Sequence, residues 1–499
     1  MPEMNRREAL ATAAALGCGL SATLSNRARA DVIQAENAKP GTTDWLLTNT
    51  RVDPKTRYRC PWVEGYCSHT SIRAGETLKI FVSTNPASKF VIDIYRMGYY
   101  GGTGGRHMGQ FGPFQGTPQP DPPVGEERVR ECAWEPALTL PIPGDWPSGV
   151  YLGKLTAEAE KLQSYLIFIV RDDRACDFLL QCSDTTWAAY NRWPDQFSLY
   201  DDGNKEWYWG PNVRVGFDRP YGKYCQIDDW PLSQGSGEFL LWEFPLVFWM
   251  EQHGYDVSYV SNVDTHAEPS GLKRAKGWIS TGHDEYWSRA MFENMKAAVT
   301  SGLNLAFLSS DTCLGLIDFF PSQTGVPNRI FSRIGVFGDV AKPDLAGFPE
   351  MGRFKPCGLD EGELMGNRTV YPTIGLADWI CAQESHWVFE GTGMRNGDAI
   401  SGLVGWEWQG DPARIPGLEV LARGTLTWNG TRNEYTATIY PGPTGNHVFS
   451  CSTIWWADGL SAPPGYKRPT TYGGVPVNLR GPDKRVQRIT ANLLARFRA

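Results

Sequence analysis

Between Thr42 and Val170 the chain is written in short β-like runs broken by Gly and Pro: Glu76–Val82, Lys89–Tyr95, Val150–Leu155 and Ser164–Val170. Runs of this length and spacing predict an antiparallel β-sandwich over residues 42–171. The charged run Arg171-Asp172-Asp173-Arg174 reads as the linker that closes it. After the linker, short apolar strands at Asp177–Ser183, Asp256–Ser261, Gly277–Thr281 and Leu303–Ser309 alternate with amphipathic helices. Ser288 is placed to cap one helix, in which Met291, Met295, Ala298 and Val299 share a face and which stops at Gly302. A terminal helix begins near Asp483 and aligns Val486, Ile489, Leu493, Leu494 and Phe497 along one side. This alternation predicts a parallel, doubly wound α/β sheet over 176–499. Residues 315–445 are less regular and read as a β-rich insertion. The fold class is therefore multidomain, α/β plus all-β, and no internal repeat or low-complexity tract interrupts it.

Length agrees with more than one domain, since 499 residues exceed the roughly 100 to 200 of a typical one. Hydrophobic residues at 41% and aromatics at 12% are enough for a large core and exclude a disordered chain. The formal net charge of -7, with no Lys/Arg cluster, argues against nucleic acid or an anionic membrane as partner. Asn5-Arg6-Arg7, the small-residue apolar run Ala9–Leu24 and Ala28-Arg29-Ala30 form the pattern of a twin-arginine signal over 1–30, so export to the periplasm is expected. That route carries folded cargo, often with a cofactor already inserted. No later stretch reaches the ~18 apolar residues a bilayer span requires. Ten cysteines follow the signal; none forms a CxxC pair, which leaves disulfides open and a zinc ribbon disfavoured.

In a parallel sheet, chemistry gathers where loops leave the carboxyl ends of the strands. There the chain reads Thr281-Gly282-His283-Asp284-Glu285-Tyr286-Trp287-Ser288, one His and two carboxylates at a strand-to-helix elbow. A purely structural account has Asp284 and Glu285 favouring the positive end of the next helix, with His283 hydrogen-bonded in the core. After the first strand comes Ser183-Asp184-Thr185-Thr186-Trp187-Ala188-Ala189-Tyr190-Asn191-Arg192-Trp193, and later Phe217-Asp218-Arg219-Pro220-Tyr221. A phenolate is a hard anionic ligand suited to ferric iron, but a metal must displace its proton from a pKa of about 10. No GxSxG, no HExxH and no Cys at the His283 elbow is present, so a covalent Ser or Cys mechanism is disfavoured. Cys313 is the nearest thiol and reads as structural. Glu407, within Gly402-Leu403-Val404-Gly405-Trp406-Glu407-Trp408, sits in apolar and aromatic company that would raise its pKa and suit a general base; a salt-bridged Glu is the equal alternative.

At these residues the chain resembles the large (β) subunit of N,N-dimethylformamidase and its relatives. Trp62–Ser68, Arg96-Met97-Gly98-Tyr99-Tyr100-Gly101-Gly102 and Gly104-Gly105-Arg106 resemble the family's β-domain. Thr186–Asn191, Arg219-Pro220-Tyr221 and Gly282–Trp287 resemble its amidotransferase-like α/β domain, the last motif being the most specific. The resemblance implies hydrolysis of a small formamide at a mononuclear Fe(III) held by two tyrosinates and one carboxylate. Carried over by motif, the ligands are Tyr190, Tyr221 and Glu285, with Tyr200 and Tyr208 as rivals for the second tyrosinate. His283 would hydrogen-bond the substrate oxygen or support the ligands, and Glu407 would be the base. One position departs from the family: Ser309-Ser310-Asp311-Thr312 puts the acid Asp311 where relatives tend to have Asn, and a carboxylate donates as an amide does only when protonated. Asp311 is carried as a catalytic candidate on that footing.

The partners implied are a small-molecule amide and an oligomeric assembly, with room for a separately encoded small subunit. A rival reading is a carbohydrate-active or carbohydrate-binding periplasmic protein, because 20 Trp, a sandwich and an acidic balance suit stacking on a glycan at the β-domain. A third is an inactive scaffold of the same fold, motivated by Asp311.

Overall fold

Eight N-terminal strands convert the short apolar runs into two sheets. The computed structural model describes residues 32–499 except 228–229, 339–348, 356, 371–374, 429 and 473–474; the expected export signal over 1–30 lies outside the described residues. The strands are β1 (Glu64–Cys67), β2 (Ser71–Arg73), β3 (Thr77–Ser83), β4 (Ser88–Met97), β5 (Gly105–Gly116), β6 (Pro136–Pro141), β7 (Gly149–Ala157) and β8 (Gln163–Arg171). Their orders are β1-β3-β6 and β2-β8-β7-β4-β5. Pairing is antiparallel except between β2 and β8. Alternate side chains of both sheets, Leu78, Ile80 and Val82 with Ile92, Ile94, Leu155 and Phe168, share one core. Burying each contributes about 1.5–3 kcal/mol, which is why the period of two is kept.

From β9 onward the chain is mixed α/β. The elements that place the site are β9 (Cys176–Cys182), α1 (Asp184–Tyr190), β10 (Arg214–Gly216), α2 (Phe244–Gln252), β11 (Val257–Ser261), α3 (Asn262–Ala267), β12 (Ala275–His283), β13 (Tyr286–Ser288), α4 (Arg289–Thr300), β14 (Asn304–Ser310), β15 (Gly315–Phe320), β16 (Ile330–Val336) and the terminal α5 (Lys484–Arg498). A seven-stranded sheet runs β11-β9-β12-β14 and continues through His447–Ser450, Thr431–Pro441 and Glu419–Trp428. Its first five strands are parallel and the last two antiparallel. The Glu419–Trp428 and Thr431–Pro441 hairpin, from the stretch expected as an insertion, thus extends the main sheet. A smaller sheet, β10-β16-β15-β13, lies beside it in the chain order.

Alternation explains why helices cover both faces of the large sheet. Leu179, Trp278, Leu305 and Phe307 share a core with Met291, Met295, Ala298 and Val299 of α4. Their neighbours Leu180, Ile279, Ala306 and Leu308 share the other core with Val486, Ile489, Leu493 and Leu494 of α5. Ser288 caps α4 by accepting from the Met291 N–H at 3.1 Å, and the Asp483 side chain accepts from the Arg485 N–H at 2.8 Å at the start of α5. Register then sets the site: His283 stands opposite Ser310, and Ser261 opposite Cys182, so the strands end level. The loops starting at Ser183, Asn262, Asp284, Asp311 and Cys451 leave the same edge. The ten described cysteines are free thiols. Among the described residues no helix is long and apolar enough to cross a membrane.

Candidate metal centre

Gly282 makes the elbow after β12. Its φ is +72°, and a Cβ there would run into Trp242, so only glycine fits. The turn separates the two carboxylates. Asp284 points into the structure, accepting from Gln181 (2.8 Å), Asn262 (2.9 Å) and Ser280 (2.8 Å); it pins the strand ends together. Glu285 reaches the opposite set of side chains, with its backbone N–H held by Thr186 Oγ1 at 2.9 Å.

Three oxygens converge there. Tyr190 Oη donates to Glu285 Oε2 at 2.8 Å, Tyr200 Oη lies 2.7 Å from Tyr190 Oη, and Tyr200 Oη approaches both Glu285 oxygens at 3.0 Å. All three residues are buried. Oxygens bound about 2.0 Å from one octahedral ion and adjacent to each other stand about 2.8 Å apart, so this spacing fits three ligands of a single hard cation. Burial first, then the Glu285 charge, holds both phenols well above their ordinary pKa. Without a cation they stay protonated and hydrogen-bonded to Glu285; a cation would displace their protons.

The tyrosine that the structure brings beside Tyr190 and Glu285 is Tyr200, one of the two rivals, and not Tyr221, the choice made on its motif. Tyr221 packs its ring edgewise on Trp187 at 6.4 Å and lines a small cavity with Asp184 and Arg219. Tyr208 is also elsewhere, donating to the Pro211 carbonyl at 2.9 Å. The motif's active part is Arg219. Buried, it donates to the carbonyls of Ala188, Asn191, Trp193, Phe197 and Gly216 at 2.7–3.3 Å. Four of those carbonyls belong to the segment carrying Tyr190 and Tyr200, so Arg219 sets the loop between them. Burial pulls its pKa down to about 10, because its partners are dipoles rather than carboxylates.

A second group adjoins the triangle. His283 Nε2 lies 2.7 Å from Glu407 Oε2 and 3.2 Å from Glu285 Oε2, and Nδ1 lies 3.7 Å from Glu238 Oε2. None of these approaches is aligned as a hydrogen bond among the described residues, so charge attraction dominates. Burial lowers the imidazole pKa, but the Glu407 charge and the other two carboxylates overcome it and raise the value well above normal. Ligand atoms of His283, Asp311 and Glu407 lie within 4.8 Å of one another, a buried cluster able to bind a metal ion. Burial raises Glu407, with His283 opposing; burial and then Glu407 raise Asp311 well above the carboxylate range. Asp311 sits at φ +49°, a strained position for a non-glycine, and its Oδ1 is buried without a partner among the described residues. Glu407 is brought in by its neighbours: the Gly405 N–H donates to Thr453 Oγ1 (3.3 Å) and the Gln409 N–H to Ser452 Oγ (3.0 Å), just past the fifth parallel strand.

The donor set suits a multivalent cation. Four carboxylates, two phenols and one imidazole share a buried space, an excess of anionic donors that a multivalent cation would neutralise. Trp287 of the elbow motif packs under α4 with Trp278 and Phe307. Cys313 is a buried free thiol that burial pushes well above its usual pKa, as expected of a structural residue. Glu238 escaped the sequence reading because it precedes the apolar run Phe239-Leu240-Leu241-Trp242; those residues form a π-turn, a local widening common at functional sites.

Residues 91–470 match the family described as N,N-dimethylformamidase beta subunit-like, C-terminal, and the chain belongs to that family. No curated protein matches the chain.

Proposed function

We propose that this member of the N,N-dimethylformamidase beta subunit-like family is a mononuclear ferric hydrolase of the C–N bond of a small, formamide-like amide, with Tyr190, Tyr200 and Glu285 holding the ion. The observation that carries the reading is the 2.7–3.0 Å triangle of their oxygens. A ferric ion held by these three residues would supply Lewis acidity, able to polarise a carbonyl oxygen and to lower the pKa of water. Glu407, its pKa raised by burial, takes a proton from the attacking water and returns it to the departing nitrogen. His283, charged between Glu407 and Glu238, offers an N–H to the carbonyl oxygen as negative charge develops on it. Asp311, kept neutral by burial and by Glu407, offers an O–H where relatives are expected to offer an amide. One water enters, the C–N bond breaks, and a carboxylate and a protonated amine leave.

An N-terminal sandwich, an amidotransferase-like α/β body, export through residues 1–30 and an oligomer belong to the same proposal. The words beta subunit in the family description support a separate smaller partner subunit. A second reading places the ion between His283, Asp311 and Glu407, whose ligand atoms are within 4.8 Å. Protein purified without added metal decides between them. Near-stoichiometric iron with a visible tyrosinate charge-transfer band, and formate released from small formamides, is the expected result. Metal without that band moves the ion to the second site; protein that takes up no ferric iron and releases no formate overturns the hydrolase.

A further inference from the structure

Tyr200 is connected to a buried cation through a single hydroxyl. Tyr286 on β13 and Arg333 on β16 belong to the four-stranded sheet, not to the sheet that carries His283. Arg333 Nη2 donates to Tyr286 Oη at 2.6 Å, and Tyr286 Oη donates to Tyr200 Oη at 2.6 Å. The guanidinium is 1% exposed and lies 3.8 Å from the centre of the Trp209 ring, with the Tyr200 and Tyr286 rings at 5.0 and 5.3 Å. Its Nε and Nη1 have no hydrogen-bond partner among the described residues.

Burying a guanidinium is costly, and a neutral donor would link Tyr286 to β16 equally well. What a neutral donor would lack is the field. A hydrogen bond given to a phenolate oxygen withdraws electron density from the lone pair it offers a cation, and a positive charge behind the donor strengthens that pull. Tyr190 is differently placed, since its hydroxyl meets Glu285 and Tyr200 themselves.

We propose that Arg333 and Tyr286 are positioning residues that weaken electron donation from Tyr200 to a bound ferric ion, making the two tyrosinates unequal and leaving the ion a stronger Lewis acid. The inference rests on the ferric reading above. It is carried by the Arg333–Tyr286–Tyr200 chain of two 2.6 Å hydrogen bonds.

The test uses full-length protein loaded with ferric iron, reading the tyrosinate charge-transfer band and the ferric/ferrous midpoint potential. In Tyr286→Phe and in Arg333→Met the band moves to longer wavelength and the potential falls, at unchanged iron stoichiometry. The double variant moves no further than Tyr286→Phe, because the two residues act along one line. Variants that hold full iron with the wild-type band and potential overturn the inference while leaving the ferric reading intact. A wild-type protein with no tyrosinate band overturns that reading itself, and this inference with it. Should either variant fail to fold, resonance Raman of the wild type decides: two tyrosinate C–O modes, one shifted in heavy water, are expected, and one insensitive mode refutes unequal ligands.

Discussion

Tyr200→Phe and Tyr221→Phe together separate the geometry from the motif. The Tyr200 hydroxyl touches Tyr190 at 2.7 Å, both Glu285 oxygens at 3.0 Å and Tyr286 at 2.6 Å, so its removal strips a partner from each. In the metal-free protein that costs about 1–3 kcal/mol, the usual penalty for buried polar groups left short of a bond. The effect on iron is larger. Removing even an outer partner of a metal ligand typically costs 10–100-fold in affinity, so deleting one of three anionic ligands costs at least about 100-fold. Proton counting gives a second magnitude. Burial and Glu285 keep both phenols protonated near neutral pH, so binding one ion releases about two protons from the wild type and about one from Tyr200→Phe. Because protons leave on binding, affinity rises with pH, by about 100-fold per unit in the wild type and about 10-fold in the variant. Tyr221→Phe keeps the wild-type affinity, slope and colour. Competition against a chelator, followed by the visible band, and indicator titration in weak buffer measure all of these. Iron lost from Tyr221→Phe and retained by Tyr200→Phe, with proton release unchanged, would refute the assignment.

Three further outcomes are expected. Glu407→Gln keeps iron and its band but loses at least about 100-fold in turnover, measured as formate released; unchanged turnover removes it as the base. Arg219→Met loses about 3 kcal/mol in urea denaturation and weakens iron binding by freeing the Tyr190–Tyr200 loop, with Arg219→Lys in between; wild-type iron affinity in Arg219→Met would refute the role. Burial pushes Asp184 from its ordinary 3.8 up to about 7, so the stability it contributes is complete below pH 4 and is lost as pH rises to about 7. Asp184→Asn removes that loss and gains about 2–3 kcal/mol on the wild type between pH 5 and 8 by denaturation; parallel curves for the two proteins would refute it.

Periodicity and chemistry were legible in this sequence to different depths. The parallel strands and the helices α4 and α5 could be read because each buries two faces or one stripe, and that requirement is written in neighbouring residues. The His283–Glu285 elbow was legible for a similarly local reason, the glycine that alone can make the turn. Tyr200 was not, since nothing within its own segment says where its hydroxyl goes. Its loop is shaped by Arg219 donating to backbone carbonyls of residues 188, 191, 193 and 197, bonds that leave no side-chain pattern at the receiving end. The signal existed, but at Arg219-Pro220-Tyr221, where the eye goes to the tyrosine while the arginine acts. Glu407 was read for its apolar surroundings, yet its position depends on Ser452 and Thr453, more than forty residues on, which hold the strand flanking it. Of the candidate side chains, Tyr200, Glu285, Asp311 and Glu407 lie in irregular segments, and irregular segments are held by contacts distant in sequence. Local pattern can therefore nominate the residue types of such a site, while the choice among equivalent tyrosines belongs to the backbone that carries them.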